Sequence, residues 1–564
     1  MTNRHLFPFA IACLIVVCIS ADARAQSFDT ILRGGTMYDG TGNPGFVADV
    51  ALRGDSIAAI GDLRFASATT EIDARGLAVA PGFINMLSWA GRSLIEDGRG
   101  MSDILQGVTL EVMGEGWSMG PWSDPMKADD VASQGDIKYD VEWTTLGEYL
   151  EHMERSGVSP NITSFVGATT LRIHEVGYDD RPATADELAR MQDLVADAME
   201  QGAVGVSSSL IYAPAFYAST EELIELARVA AVYGGIYISH IRNEGSMVLG
   251  ALDELIDIAR AADVAAEVYH LKASGRDNWH LIDDVFRKIE QARADGLRIT
   301  ADMYTYPASS TGLNAIMPPW VQEGGFGMWR RRLMDAEISA HVAEEMRTPT
   351  DEWENSLVSA GAGGILLTGF RQDSLRHLVG RTLADVAAER GMPAEETAIQ
   401  LVVQDSSRVS AVFFTMTEGN VRKKIQQPWV SIASDAGALA AEGVFLNSQP
   451  HPRAYGTFAR VLGRYVRDEG LISLPEAIRR MTSLPASNLS LRRRGLLRPG
   501  YFADLVLFDP ATIRDTATFE EPHQYAIGVR YVFVNGETVV RDGQHTGATP
   551  GRVVRGPGWT GWKD

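Results

Sequence analysis

The sequence predicts an α/β fold: a (β/α)8 TIM-like barrel with a composite β-sandwich from both termini and an inserted α/β subdomain. Three observations predict it. Apolar runs alternate with helix-like segments through the middle of the chain, both ends are rich in strand and turn signals, and His240, His270 and Asp435 each close an apolar run. Strand–helix alternation favours a parallel sheet covered by helices. In a closed barrel, residues at strand ends collect on one rim, where catalytic groups are found.

The barrel is read over residues 81–485. Its candidate strands are Phe83–Leu87, Leu110–Glu115, Ile162–Ala168, Val204–Ser209, Ile236–His240, Ala265–His270, Leu297–Met303 and Val430–Asp435. That makes eight, the number a barrel of this type requires. Ser219-Thr220-Glu221-Glu222 reads as a capping box opening an amphipathic helix that stops at Gly234-Gly235.

The sandwich is read from residues 26–80 and 486–564. Thr30-Ile31-Leu32, Val50-Ala51-Leu52 and Ser56–Ile60 are strands at one end, Asp504–Phe508 and Tyr531–Val534 at the other. Asn535-Gly536 is a strong hairpin signal, because both residues tolerate the positive φ of a tight turn. The stretch of about 321–410 is too long for one barrel connection and holds a strand-like run, Gly364–Thr368. It is an inserted subdomain, lying either over the barrel mouth or away from it.

Composition narrows the partners. The chain has 564 residues, 45% of them hydrophobic and 22% charged, which is globular rather than disordered. A formal net charge of −22 with no basic cluster disfavours nucleic acid and anionic membranes. Residues 1–25 read as an export signal: Arg4 and His5, an apolar run from Leu6, then Ala23-Arg24-Ala25 as a small-x-small cleavage site. The expected location is periplasmic or secreted, with no membrane attachment after cleavage. Both cysteines, Cys13 and Cys18, lie in that signal, so the mature chain has no thiol ligand, nucleophile or disulfide.

Two imidazoles and a carboxylate on one rim point to a divalent metal that activates water. His240 and His270 supply two ligands. The third is expected to be anionic and to come from an earlier strand, and Glu115 closes the run Leu110–Glu115. A capping or ion-pair role is the plain alternative for Glu115. Asp435 is read as the acid–base group.

Several motifs carry a family resemblance. They are Ala80-Pro81-Gly82-Phe83-Ile84-Asn85, Gly107-Val108-Thr109, Ser239–Glu244, His270-Leu271-Lys272, Tyr304–Gly312, Ser434-Asp435 and His451-Pro452-Arg453. Together, from about Phe28 to the end, the chain resembles the N-acyl-D-amino-acid deacylase (D-aminoacylase) branch of the amidohydrolase superfamily. The resemblance implies a zinc ion held by His240, His270 and a cysteine from the second strand. Here Gly114-Glu115-Gly116 stands in that cysteine's place, so Glu115 is the expected substitute. The superfamily's first-strand His-x-His is replaced by Leu87 and Trp89, neither of which can ligate, so one metal rather than two is expected.

The resemblance also implies a small amide substrate bearing a carboxylate. Arg453 is its expected partner, since a guanidinium fork suits a carboxylate. Lys272, Tyr212, Tyr304 and Ser310 match positions that line the substrate site. The activity implied is hydrolysis of the amide of an N-acyl amino acid, with D-handedness resting on the resemblance alone. The alternatives are another C–N bond, such as a dipeptide or cyclic amide, and a non-catalytic ligand-binding protein in which Trp89 and Leu87 have remodelled the pocket.

Overall fold

The computed structural model describes residues 27–562, so the expected export signal and both cysteines lie outside the described residues. Within them, no helix is long and apolar enough to cross a membrane.

Eight parallel strands form the barrel. They are Phe83–Ser88, Val108–Met113, Asn161–Ser164 continued in Val166–Gly167, Gly205–Ser209, Ile236–His240, Ala266–Val268, Ile299–Met303 and Val430–Ile432. Each pairs with the next in chain order through two hydrogen-bonded arcs. The third strand breaks at Phe165, whose N–H donates to Met113 O at 2.9 Å. Closure between the last and first strands is sparse. A single bridge joins Ser88 to Ala436, and the Asp435 N–H donates to Leu87 O at 2.9 Å.

Strand residues divide between two apolar clusters, as a period of two requires. Ile84, Leu110, Val112, Ile238 and Ala433 share one; Phe83, Met113, Val206, Tyr237 and Met303 join the helix faces in a larger one. The helix Thr220–Val232 shows how local signals meet tertiary demands. Ser219 Oγ accepts the Glu222 N–H at 3.2 Å, but the Glu222 carboxylate pairs with buried Arg172 at 2.7 Å. Only half of the expected capping box forms, because neutralising Arg172 takes the other partner.

Strands from both ends share one branched sheet. Leu505–Phe508 pairs antiparallel with Ala78–Pro81, which runs beside the long strand Ser27–Met37. Asn535 and Gly536 both have positive φ and turn Val529–Val534 into Glu537–Arg541. The Asn535 side chain then donates to Asn161 Oδ1 at 2.8 Å, tying this sheet to the third barrel strand.

The insertion is wider than 321–410. Ser309–Gly312 and Ile365–Gly369 flank Ser410–Phe413 in an antiparallel sheet, and its apolar core starts at Leu313. The hydroxyl-rich text Ser309-Ser310-Thr311-Gly312 concealed the first strand. Its residues line the same cavity as His240, so the insertion covers the barrel mouth.

Between the first two barrel strands, a Cβ on Gly82 would lie 2.1 Å from Thr109 Oγ1 and 2.7 Å from Thr109 Cβ. Gly82→Ala should therefore cost about 1–3 kcal/mol by overpacking. Urea denaturation would register this as a lower midpoint with an unchanged slope; an unaltered midpoint would contradict the packing.

Candidate active site

The rim residues are set in place by unusual backbone. His270 (φ 35°) and Asp435 (φ 51°) adopt the left-handed region, beyond the ends of the sixth and eighth strands. Such conformations cost on the order of 1–3 kcal/mol and persist where the surroundings enforce them. Here the His270 N–H donates to Asp302 Oδ1 at 2.8 Å, and the Asp435 N–H donates to the Leu87 backbone O. Glu115 follows the second strand between Gly114 (φ 99°) and Gly116 (φ 61°). Side chains at those glycines would strike Phe165 O and Ser209 Cβ, each at 2.5 Å, so the turn that presents Glu115 needs both.

Glu115, His240 and His270 converge, buried, with one donor atom from each inside 4.8 Å. Glu115 Oε1 lies 3.0 Å from His240 Nδ1 and 3.1 Å from His270 Nε2. Tetrahedral ligands at ~2.0–2.1 Å from one ion would stand ~3.3 Å apart, so these three donors are spaced to hold a metal ion. Burial raises the Glu115 pKa, yet the two imidazoles overcome it and hold the carboxyl well below its usual range. Burial and Lys272 push His270 down, but Glu244 and Glu115 outweigh them and lift it to about 10.

Glu244 is the site residue that sequence reasoning missed. Its Oε1 lies 3.1 Å from His270 Nδ1 and accepts from Lys272 Nζ at 2.6 Å, and its Oε2 stands 3.4 Å from His240 Nε2. An outer carboxylate that orients a ligating imidazole is a common support of metal sites. The signal was in Ser239–Glu244, already noted as a motif, where Glu244 sits four residues beyond His240. Lys272 Nζ thereby meets Glu244 and His270 at the cavity wall.

Trp89 is not a passive replacement for histidine. Its Nε1–H lies 3.0 Å from Glu115 Oε2 and 3.1 Å from Asp435 Oδ1, bridging the candidate ligand and the candidate acid–base group. Leu87 by contrast is fully buried in the barrel interior. Burial raises the Asp435 pKa against the lowering effects of Arg453 and His270.

The expected substrate residues all line one cavity of about 800 Å³ together with the three candidate ligands and Asp435. Arg453 Nη1 lies 2.7 Å from Asp435 Oδ2, and its Nε has no hydrogen-bond partner. His451 Nδ1 accepts the Arg453 N–H at 3.0 Å while its Nε2 faces Ala308 O; burial keeps that imidazole neutral. The Arg453 guanidinium also stacks 4.5 Å over Tyr304, whose buried hydroxyl lacks a partner. Tyr212 packs edge-on to His240 and donates to Thr311 Oγ1 at 2.8 Å. Ser310 donates to Ala411 O at 3.2 Å within the insertion's sheet. His174 pairs with Glu175 in the helix Ala168–Glu175 and does not line the cavity.

A closed parallel barrel with imidazoles and carboxylates on its C-terminal rim defines an amidohydrolase-type hydrolase, and residues 420–540 match the Amidohydrolase family. The chain is 36% identical to a D-aminoacylase of Alcaligenes xylosoxydans xylosoxydans over 94% of its own length and 98% of the relative's. It is 33% identical to an N-acyl-D-aspartate deacylase of the same organism, covering 94% and 96% respectively. The chain belongs to the N-acyl-D-amino-acid deacylase (D-aminoacylase) family. A solved D-aminoacylase, described by a binuclear metal centre with one-metal activation and second-metal attenuation, superposes with a TM-score of 0.78 at 36% identity, covering 94% of this chain and all of that one. The N-acyl-D-glutamate deacylase of Bordetella bronchiseptica, complexed with zinc and a phosphonate mimic of the tetrahedral intermediate, matches at 0.78 and 32%, with the same coverage.

Two outcomes follow from this geometry. Because an imidazole must be neutral to ligate, ion entry below pH ~10 must displace the His270 proton. Calorimetric zinc titration at pH 7 in buffers of different ionisation enthalpy should show release of about one proton or more; none would contradict the assignment. Trp89→Phe should weaken zinc binding about 10–100-fold by freeing Glu115 Oε2, measured by competition with a chromophoric chelator.

Proposed function

We propose that this cavity hydrolyses the amide bond of N-acyl D-amino acids, using a single divalent ion, zinc, held by Glu115, His240 and His270. The observation that carries the reading is the convergence of those three groups opposite Asp435. The D-configuration and the acyl-amino-acid class come from the names of the 33–36% identical relatives. The cyclic-amide alternative is not favoured: an L-hydantoinase from Arthrobacter aurescens matches at 14% identity and bears on the fold alone. One ion rather than two is supported by Leu87 and Trp89, which offer no donor where a second metal would need two imidazoles.

When bound, the ion would supply an activated water and a Lewis acid for the amide carbonyl. The chain's own groups do the rest. Asp435, buried and raised in pKa, takes the proton from the attacking water and returns it to the departing nitrogen. Trp89 holds the proton-accepting carboxylate beside Glu115, while Lys272 and Glu244 fix the His270 ring. The unpartnered Arg453 Nε and the Tyr304 hydroxyl are placed to receive the substrate carboxylate. The left-handed backbone at His270 and Asp435 pre-positions both before substrate arrives.

The same reading takes residues 26–80 and 486–564 as one composite sandwich supporting the barrel at 81–485. It takes the mature protein as exported after removal of residues 1–25, acting on small amides outside the cytoplasm.

Asp435→Asn should retain stoichiometric zinc while kcat on N-acetyl-D-amino acids falls by about 10²–10⁴-fold. Elemental analysis paired with initial rates checks this. Loss of metal in proportion to rate would make Asp435 a ligand, and cleavage of N-acetyl-L-amino acids alone would overturn the handedness.

A further inference from the structure

Four cations line the catalytic cavity: Arg92, Lys272, Arg408 and Arg453. Arg92 pairs with Asp130, Lys272 with Glu244 and Arg453 with Asp435. Among the described residues, Arg408 alone of the four has no carboxylate partner. A guanidinium that faces a cavity with no carboxylate beside it has its whole donor fork free for an arriving anion.

The chain goes to some length to keep Arg408 there. It sits just before the insertion strand Ser410–Phe413, between Ser406 (φ 53°) and Val409 (φ 53°). A β-branched residue in the left-handed region is a genuine outlier, of a kind that gathers at functional sites. The kink is pinned from both sides. The Leu313 N–H donates to Arg408 O at 2.8 Å and Val409 O at 3.0 Å, and the Val409 N–H donates to Ser407 Oγ at 2.9 Å. Gly312 on the facing strand leaves the space: a Cβ there would stand 2.7 Å from Arg408 Cβ and 3.0 Å from its Nε. The guanidinium reaches over Tyr212 at 5.9 Å, and Tyr212 packs 5.5 Å from the His240 ring. Arg408 therefore stands one aromatic ring away from the candidate metal ligands. The side chain is open to the cavity, yet the protein around it desolvates it enough to lower its pKa.

We propose that Arg408 is a second anion subsite, which makes dianionic N-acyl amino acids the preferred substrate class. One carboxylate goes to Arg453; the other, from the amino-acid side chain or from the acyl group, goes to Arg408. This rests on the deacylase reading above.

The test compares zinc-loaded wild type, Arg408→Met and Arg408→Lys on three amides. N-acetyl-D-glutamate carries the second anion on its side chain, N-succinyl-D-leucine carries it on the acyl group, and N-acetyl-D-leucine lacks it. Arg408→Met should lower kcat/KM by about a hundredfold, chiefly through KM, on one of the two dianionic amides. N-acetyl-D-leucine should lose several-fold less, and Arg408→Lys should recover part of the loss. The amide that suffers identifies the source of the anion. Equal losses on all three amides, or none, would overturn the proposal. Should wild type cleave no amide, the deacylase reading fails by itself, and glutarate binding by calorimetry then decides the subsite. Binding at least about tenfold weaker in Arg408→Met upholds it, and equal binding rejects it.

Discussion

The Glu115 carboxylate is the constraint on which the rest of the site depends. One oxygen faces both imidazoles and the other takes the Trp89 indole N–H, so a single side chain links the end of its own strand to those of three others. Buried this deeply, it remains ionised because His270 and His240 outweigh the desolvation that would otherwise protonate it. The glycines on either side permit the turn, Ser207 Oγ accepts the Gly116 N–H, and Ser207 in turn donates to Gly114 O. The fourth strand thereby fixes the loop that ends the second.

Around that carboxylate, charges alternate in a closed arrangement. Glu244 balances Lys272 and both histidines, Arg453 balances Asp435, and Trp89 lies between Asp435 and Glu115. Removing one partner from such a buried charge network exposes the others to the full cost of desolvation. Leu87 and Trp89 at the first strand therefore leave no hole. The indole puts a neutral donor between two carboxylates that would otherwise repel each other.

Much of this was legible from residue order because barrel chemistry follows strand ends. His240, His270 and Asp435 each close an apolar run, and Glu115 closes another, so all four could be placed on one rim before any coordinates. The Asn535-Gly536 hairpin was equally plain, since its backbone demand is local. What stayed hidden were partnerships set by tertiary packing. Glu222 left its capping role for Arg172, Lys272 turned to Glu244, and Ser309–Gly312 became a strand only by pairing with Ser410–Phe413. Trp89 was read as the loss of a ligand because its indole finds Glu115 and Asp435 only once the barrel has closed.

The most direct measurement of the central claim is an anomalous-difference map from crystals of the zinc-loaded protein. The account predicts one strong peak about 2.0–2.3 Å from Glu115, His240 and His270, with none beside Leu87 and Trp89. A peak lacking Glu115 among its neighbours, or a second peak at the first strand, would contradict it.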